Sequence, residues 1–106
     1  YQRVLGMERE EYGRNNRTAL RFGGQKLNLR PHDATGWDTA THALPGGNDL
    51  CFITAITSDD VVEHLKNCGI TIVDGPVARL GAIGPITSVY CHDPDENLIE
   101  IASYQG

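Results

Sequence analysis

The chain has 106 residues, 40% hydrophobic and 22% charged, with a formal net charge of −5. That suits one soluble globular domain with a modest core and argues against a general nucleic-acid binder, which carries a basic face. No apolar run approaches the 18 residues of a membrane span, and no signal peptide is recognisable. Cys51, Cys68 and Cys91 are odd in number and widely spaced. Buried thiols in a reducing, cytoplasmic compartment are therefore expected rather than a disulfide framework.

The chain opens at Tyr1, within what reads as the last turns of a helix. Tyr1, Val4 and Leu5 have helical spacing, and Gly6 suits the position after a helix end. This start suggests a truncated piece. Met7–Tyr12 and Arg17–Phe22 read as strands, separated by the turn Gly13-Arg14-Asn15-Asn16. Gly23-Gly24 makes a tight hairpin into a strand over Gln25–Arg30, where Leu27 and Leu29 alternate with Lys26, Asn28 and Arg30. Pro31 to Gly47 has no period and is long for a loop in a compact domain, which makes it a candidate lid.

Asp49–Thr57 reads as a strand with Asp49, Cys51, Ile53 and Ala55 on one face. Ser58 is the expected N-cap of a helix whose buried stripe is Val61, Leu65 and Cys68, with Asp59 and Asp60 at the positive end of its dipole. Gly69 closes that helix. A short strand is expected over Ile70–Val73, a Gly/Pro-rich loop over Gly75–Pro85, and a hairpin of Ile86–His92 and Leu98–Ser103. The two halves repeat a pattern of helix end, glycine, strand, loop and hairpin. The strand that precedes the helix in the second half has no counterpart in the first.

The segment Ser88-Val89-Tyr90-Cys91-His92-Asp93-Pro94-Asp95-Glu96-Asn97-Leu98-Ile99-Glu100 resembles the closing hairpin of vicinal-oxygen-chelate proteins, the glyoxalase/bleomycin-resistance/dioxygenase group. Tyr1-Gln2-Arg3-Val4-Leu5-Gly6-Met7 looks like that family's end of helix one. Gly75-Pro76-Val77 resembles the loop before its last hairpin, and with Phe22–Leu29 the likeness covers nearly the whole chain. It is closest to glyoxalase-domain, virulence-associated lactoylglutathione-lyase-like proteins. The resemblance implies an α+β fold of two βαβββ modules forming a curved mixed-sheet cup, here with the first strand of module one missing. Residues 1–46 would be the truncated first module and linker, and residues 47–106 the second module. A dimer partner often completes such a cup, and a homodimer is expected, with a second chain covering the sheet edge left unpaired.

The resemblance also implies a divalent metal (Mn, Mg, Ni or Zn) at the bottom of the cup, acting as Lewis acid on a small, oxygen-chelating substrate. Glu100 stands where the family's metal-binding glutamate stands, and would be ligand and base. It shares its strand face with Leu98 and Ala102; an edge carboxylate facing water is the plainer alternative. Asp49 falls where histidine is usual, and Asn28 where glyoxalases carry glutamate. The set Asn28, Asp49 and Glu100 is all oxygen, which would favour Mg²⁺, Mn²⁺ or Ca²⁺ over Zn²⁺. The remaining ligand, usually histidine, belongs to the absent strand, so a ring-cleaving dioxygenase with two histidines is not expected.

Arg79, Tyr90, His92 and Arg30 are the expected substrate-binding residues, with Lys26 beside Arg30. Cations around a cup suit a carboxylate, phosphonate or thiol-conjugate ligand. A solvated strand end is an equal reading for Lys26 and Arg30, and hairpin solvation one for His92. His64 is expected to be solvated, and His32 and His42 to lie on the free loop. Glu96 replaces the turn glycine of the family pattern, predicting a strained turn if φ is positive there. Two functions remain open at this point. One is a metal-dependent lyase or isomerase of glyoxalase type, inactive if the truncation removes too much of its site. The other is a non-catalytic small-molecule binder of the bleomycin-resistance kind.

Overall fold

The computed structural model describes residues 1–14, 16–36 and 38–104, and divides into two compact units, Tyr1–Leu44 and Pro45–Gly106. Asn15 of the predicted turn and Trp37 of the predicted loop lie outside the described residues. The mixed α+β class expected from the sequence is what forms: two sheets and a single helix among the described residues.

In the first unit, one helical turn is closed by Leu5 N–H to Tyr1 O (3.2 Å) and Gly6 N–H to Gln2 O (3.1 Å). Gly6 ends it with φ of 71°. Strands β1 (Glu8–Tyr12), β2 (Arg17–Phe22) and β3 (Gln25–Asn28) follow as an antiparallel meander. The β2–β3 hairpin pairs Phe22 with Gln25 across Gly23-Gly24, and Gly23 supplies a positive φ of 54°. Ala19 and Leu20 point to opposite faces of β2, and both are buried. β3 stops at Asn28 rather than Arg30, and the Arg30 side chain turns to the chain that follows. Its guanidinium donates to the carbonyls of Pro31 (3.3 Å), Ala34 (3.3 Å) and Ala43 (3.0 Å), pinning the long loop at both ends.

The second unit runs β4 (Asp49–Ile53), α1 (Ser58–Asn67), β5 (Asp74–Gly81), β6 (Gly84–His92) and β7 (Leu98–Ser103). The sheet order is β4-β7-β6-β5, with β4 parallel to β7 and the remaining pairs antiparallel. One face of the sheet carries Val89, Cys91, Ile99 and Ile101, all buried, as are Val61 and Leu65 of the helix. α1 contacts β5, β6 and β7, so an amphipathic helix seals a strand face of period two.

Four expectations are corrected here. β4 ends at Ile53 rather than Thr57, since Thr54 Oγ1 accepts the Ile56 N–H (3.4 Å) and turns the chain. The N-cap is consequently Thr57, not Ser58: the Thr57 hydroxyl accepts from Asp60 N–H (3.3 Å), and Ser58 is buried in the first turn. Cys68 is the half-buried C-cap rather than part of the buried stripe. Finally, Ile70–Val73 forms no strand, whereas most of the predicted Gly75–Pro85 loop is strand β5.

The glycines and prolines of β5 collect at its ends and at a register shift between Asp74 and Val77. The edge position of β5 tolerates Pro76 there. Gly75, at φ 99°, lets the bulged backbone pass so close to β6 that a Cβ would collide with the Ser88 carbonyl.

The turn between β6 and β7 is organised by two side chains. Asp93 Oδ1 accepts from the N–H groups of Asp95 (3.0 Å) and Asn97 (2.8 Å), while its Oδ2 accepts from Asn97 Nδ2 (2.8 Å). The buried Asn97 in turn accepts the Asn48 N–H (2.9 Å). Glu96 has φ of 69°, so the condition for a strained turn at the glycine position it fills is met.

Two outcomes follow for stability, both readable as shifts in urea midpoint. Glu96→Gly relieves the left-handed strain and should stabilise by about 0.5–1 kcal/mol after glycine's entropic cost. Asp93→Ala strips three acceptor contacts from the turn and should destabilise by about 1–3 kcal/mol.

Candidate functional site

The parallel β4–β7 and antiparallel β7–β6–β5 registers build rungs across the second unit's sheet. One rung is Cys51, Glu100, Tyr90 and Asp74; the neighbouring one is Asp49, Leu98 and His92. Ser88 pairs with Ala102 one step beyond Glu100. Alternation along each strand therefore puts Asp49, Cys51, Ser88, Tyr90, His92 and Glu100 on one face, opposite the Val89–Ile101 face.

Glu100 is half-buried at the middle of β7. The fully buried Ser88 hydroxyl donates to its Oε2 at 2.5 Å, a short charge-assisted bond that fixes the carboxylate. Cys51 stands beside the same carboxylate, paired with Glu100 across β4 and β7. The Cys51 thiol is pushed above its ordinary value, first by partial burial, then by the Glu100 charge and hydrogen bond, then by Asp49. This thiol keeps its proton at neutral pH and acts toward Glu100 as a donor.

Arg79 sits on strand β5, not in a loop. Its guanidinium lies 5.7 Å from the centre of the Tyr90 ring and 3.6 Å from Asp74 Oδ2, and donates to its neighbour's carbonyl, Ala78 O, at 3.0 Å. Asp74 is itself tied down by the Gly75 N–H at 2.8 Å. A cation, an aromatic ring and a carboxylate thus occupy consecutive places beside Glu100.

The expected site residues divide between the units. Glu100, Asp49, Tyr90, His92 and Arg79 all belong to the second unit's sheet. Asn28 closes β3 of the first unit, paired with Ala19, and is exposed. Lys26 packs its ammonium 3.7 Å from the Tyr12 ring centre, and Arg30 spends its guanidinium on loop carbonyls. Cys91 is buried as expected, but Cys51 is exposed because it stands on the edge strand.

The donors tested for a metal are Glu100 and Asp49 through oxygen, with Cys51 through sulfur. Glu100 Oε2 already accepts from Ser88. Among the described residues no group of three or more His, Cys, Asp or Glu is drawn together tightly enough to hold an ion. The described donor set does not fit a metal centre by itself, so no chemical step is assigned to one.

Sequence reasoning passed over Ser88 and Cys51 as partners of Glu100. Alternation along β4 groups Cys51 with Asp49, and says nothing of its neighbour across the sheet. The contact depends on the register that sets β4 and β6 on either side of β7, with Cys51, Ser88 and Glu100 on one face.

No family profile matches the chain. It is 47% identical over 104 residues to the virulence protein STM3117 of Salmonella typhimurium, covering 98% of this chain and 72% of that protein. The crystal structure of STM3117 superposes with a TM-score of 0.93, covering 98% of this chain and 82% of that one. A glyoxalase domain-containing protein, RDO1 of Mycosarcoma maydis, is 46% identical over 101 residues, 95% of this chain and 57% of its own length.

Below 25% identity, and so as likeness of fold alone, two further structures superpose. One is a lactoylglutathione lyase from Agrobacterium tumefaciens (20% identity, TM-score 0.69, covering 99% of this chain and 81% of that one). The other is the fosfomycin resistance protein FosX from Listeria monocytogenes, complexed with Mn(II) and sulfate (19% identity, TM-score 0.60, covering 96% and 74%). The sequence relatives and the shared fold agree with the closing-hairpin motif, and the chain belongs to the glyoxalase/bleomycin-resistance/dioxygenase superfamily, the vicinal-oxygen-chelate proteins.

Proposed function

We propose that the Glu100 face of the second unit is the reaction surface of a glyoxalase-type lyase or isomerase, acting on a small, oxygen-bearing substrate. The observation that carries this reading is the Ser88–Glu100 hydrogen bond of 2.5 Å, which holds a half-buried carboxylate in one orientation at the centre of the sheet. A carboxylate so placed suits proton transfer at a carbon next to a carbonyl: it takes the proton from one atom and returns it to the next. Ser88 is then a positioning residue, and Cys51, keeping its proton, supplies a second donor to the carboxylate without competing as a nucleophile.

Arg79 gives the substrate its second handle. Asp74 is its ion partner in the free chain, at 3.6 Å with both side chains about half exposed, a pairing that an incoming anion can replace. Tyr90 would offer a ring to the substrate's apolar part, and His92 and Asp49 would flank it at the strand ends. Lactoylglutathione is the thioester of a 2-hydroxy acid, so a hemithioacetal of a 2-oxoaldehyde is the substrate class to test. The outer edge of β4 carries no strand partner in the described sheet, and is where a second copy of the chain would pair.

A second reading is favoured by the absence of a three-donor cluster among the described residues. On that reading the face binds a small hydrophobic or anionic molecule of antibiotic type without turning it over, as a binder of the bleomycin-resistance class would.

Two measurements separate these readings. In steady-state assays on a 2-oxoaldehyde hemithioacetal, Glu100→Gln should lower kcat by about 10²–10⁴-fold, and Ser88→Ala by a smaller factor through mispositioning. Unchanged turnover in Glu100→Gln removes Glu100 from the chemistry. In calorimetric titration, stoichiometric Mn²⁺ or Ni²⁺ binding to the wild type that is lost in Glu100→Ala supports a metal-dependent lyase. Ligand binding with no metal uptake at millimolar concentration supports the binder.

A further inference from the structure

Strand β5 begins with two residues whose chemistry the Glu100 face does not use. Of the twelve glycines in the chain, Gly75 alone follows an aspartate, and none follows an asparagine. A glycine nitrogen has no side chain beside it, so it reaches back to the preceding carboxyl with the least hindrance. How readily it does so depends on the way the fold holds the two groups.

Here the fold holds them together. Gly75 N–H donates to Asp74 Oδ1 at 2.8 Å, so the Asp74 rotamer lays its carboxyl group against that nitrogen. The register shift of β5 makes room for this. Asp74 pairs with Tyr90 and Val77 with Ser88, so Gly75 and Pro76 together stand against Val89 alone. β5 is also an edge strand, and the Asp74 side chain is 56% exposed, so water reaches the carboxyl group.

We propose that Asp74-Gly75 is a self-modification site, at which Asp74 converts to isoaspartate through a cyclic imide. The Gly75 nitrogen forms a bond to Asp74 Cγ, and the hydroxyl of the protonated carboxyl leaves with the amide proton as water. Water then opens the ring at either of its two carbonyls. Opening at Cγ restores aspartate. Opening at the main-chain carbonyl carbon of Asp74 leaves the chain running through Cβ and Cγ. One water is lost and one regained, so the product has the mass of the starting chain and no oxidant takes part.

The product carries one more methylene in its main chain at the bulge, and its free carboxylate sits on the α-carbon. Asp74 is the ion partner of Arg79 at 3.6 Å, and Arg79 lies 5.7 Å from the Tyr90 ring centre. The conversion therefore moves the counter-charge of Arg79, while the Ser88–Glu100 bond lies on β6 and β7. The chemistry is that of the backbone, and stands independently of the function proposed for the Glu100 face.

The test is prolonged incubation of the folded chain in mildly acidic heavy-oxygen water. It is read by peptide mapping with fragmentation that separates aspartate from isoaspartate. Isoaspartate is expected at Asp74 ahead of every other Asp or Asn, with one heavy oxygen taken up on ring opening. The folded chain should form it at least as fast as the chain unfolded in urea, because the rotamer is already set. In Asp74→Glu, where a larger ring is needed, the product should be lost. No isoaspartate at Asp74 in the folded chain, a slower rate than in urea, or earlier conversion at another residue overturns the proposal.

Discussion

The register of the second unit depends on the Asn97 side chain. Asn97 is held by Asp93 from within its own turn and reaches out to the Asn48 backbone. Beside it, Leu98 N–H bonds Asn48 O at 3.0 Å, so the chain entering β4 is clamped just before the first β4–β7 pair, Asp49 with Leu98. A parallel pair has no connecting hairpin to fix its alignment. Here a buried amide performs that task, and a slip of one residue would turn Cys51 away from Glu100 and expose the opposite face.

The chemistry of the face follows from that clamp. Glu100 belongs to a strand whose neighbours on both sides are fixed, one by hairpin and one by the Asn97 contact. Donors from β6 and β4 therefore meet one carboxylate without any loop being involved. A site built on strands in this way holds its geometry more tightly than one built on loops. The arrangement also explains how a charged group is accommodated in mid-sheet: its desolvation is offset by a hydroxyl and a thiol, and no buried side-chain polar atom among the described residues lacks a partner.

Much of this was readable from the residues. The meander of β1 to β3, the stripe of Val61 and Leu65, the closing hairpin and the strained Glu96 turn all rest on short-range signals: period, turn chemistry and a motif. The misreadings share a cause, which is competition between local signals. Gly75, Pro76, Gly81, Gly84 and Pro85 look like a loop when counted together. They sit, however, at a bulge and at a hairpin end, leaving Val77 to Leu80 free to pair. Thr57 and Ser58 are both good caps, and only the early end of β4 decides between them. For the site, Glu100 was legible through the motif. Its contacts with Ser88 and Cys51 were not, because they depend on strand register between segments far apart in the chain.

The Arg30 guanidinium fastens the loop at Pro31, Ala34 and Ala43, and each of these bonds ends on a main-chain oxygen. Main-chain carbonyls are the same whatever side chains the loop carries. Its residues can therefore be exchanged while its ends stay fastened, so the segment serves as an interchangeable insert on a constant frame, and variety of sequence there costs little in shape.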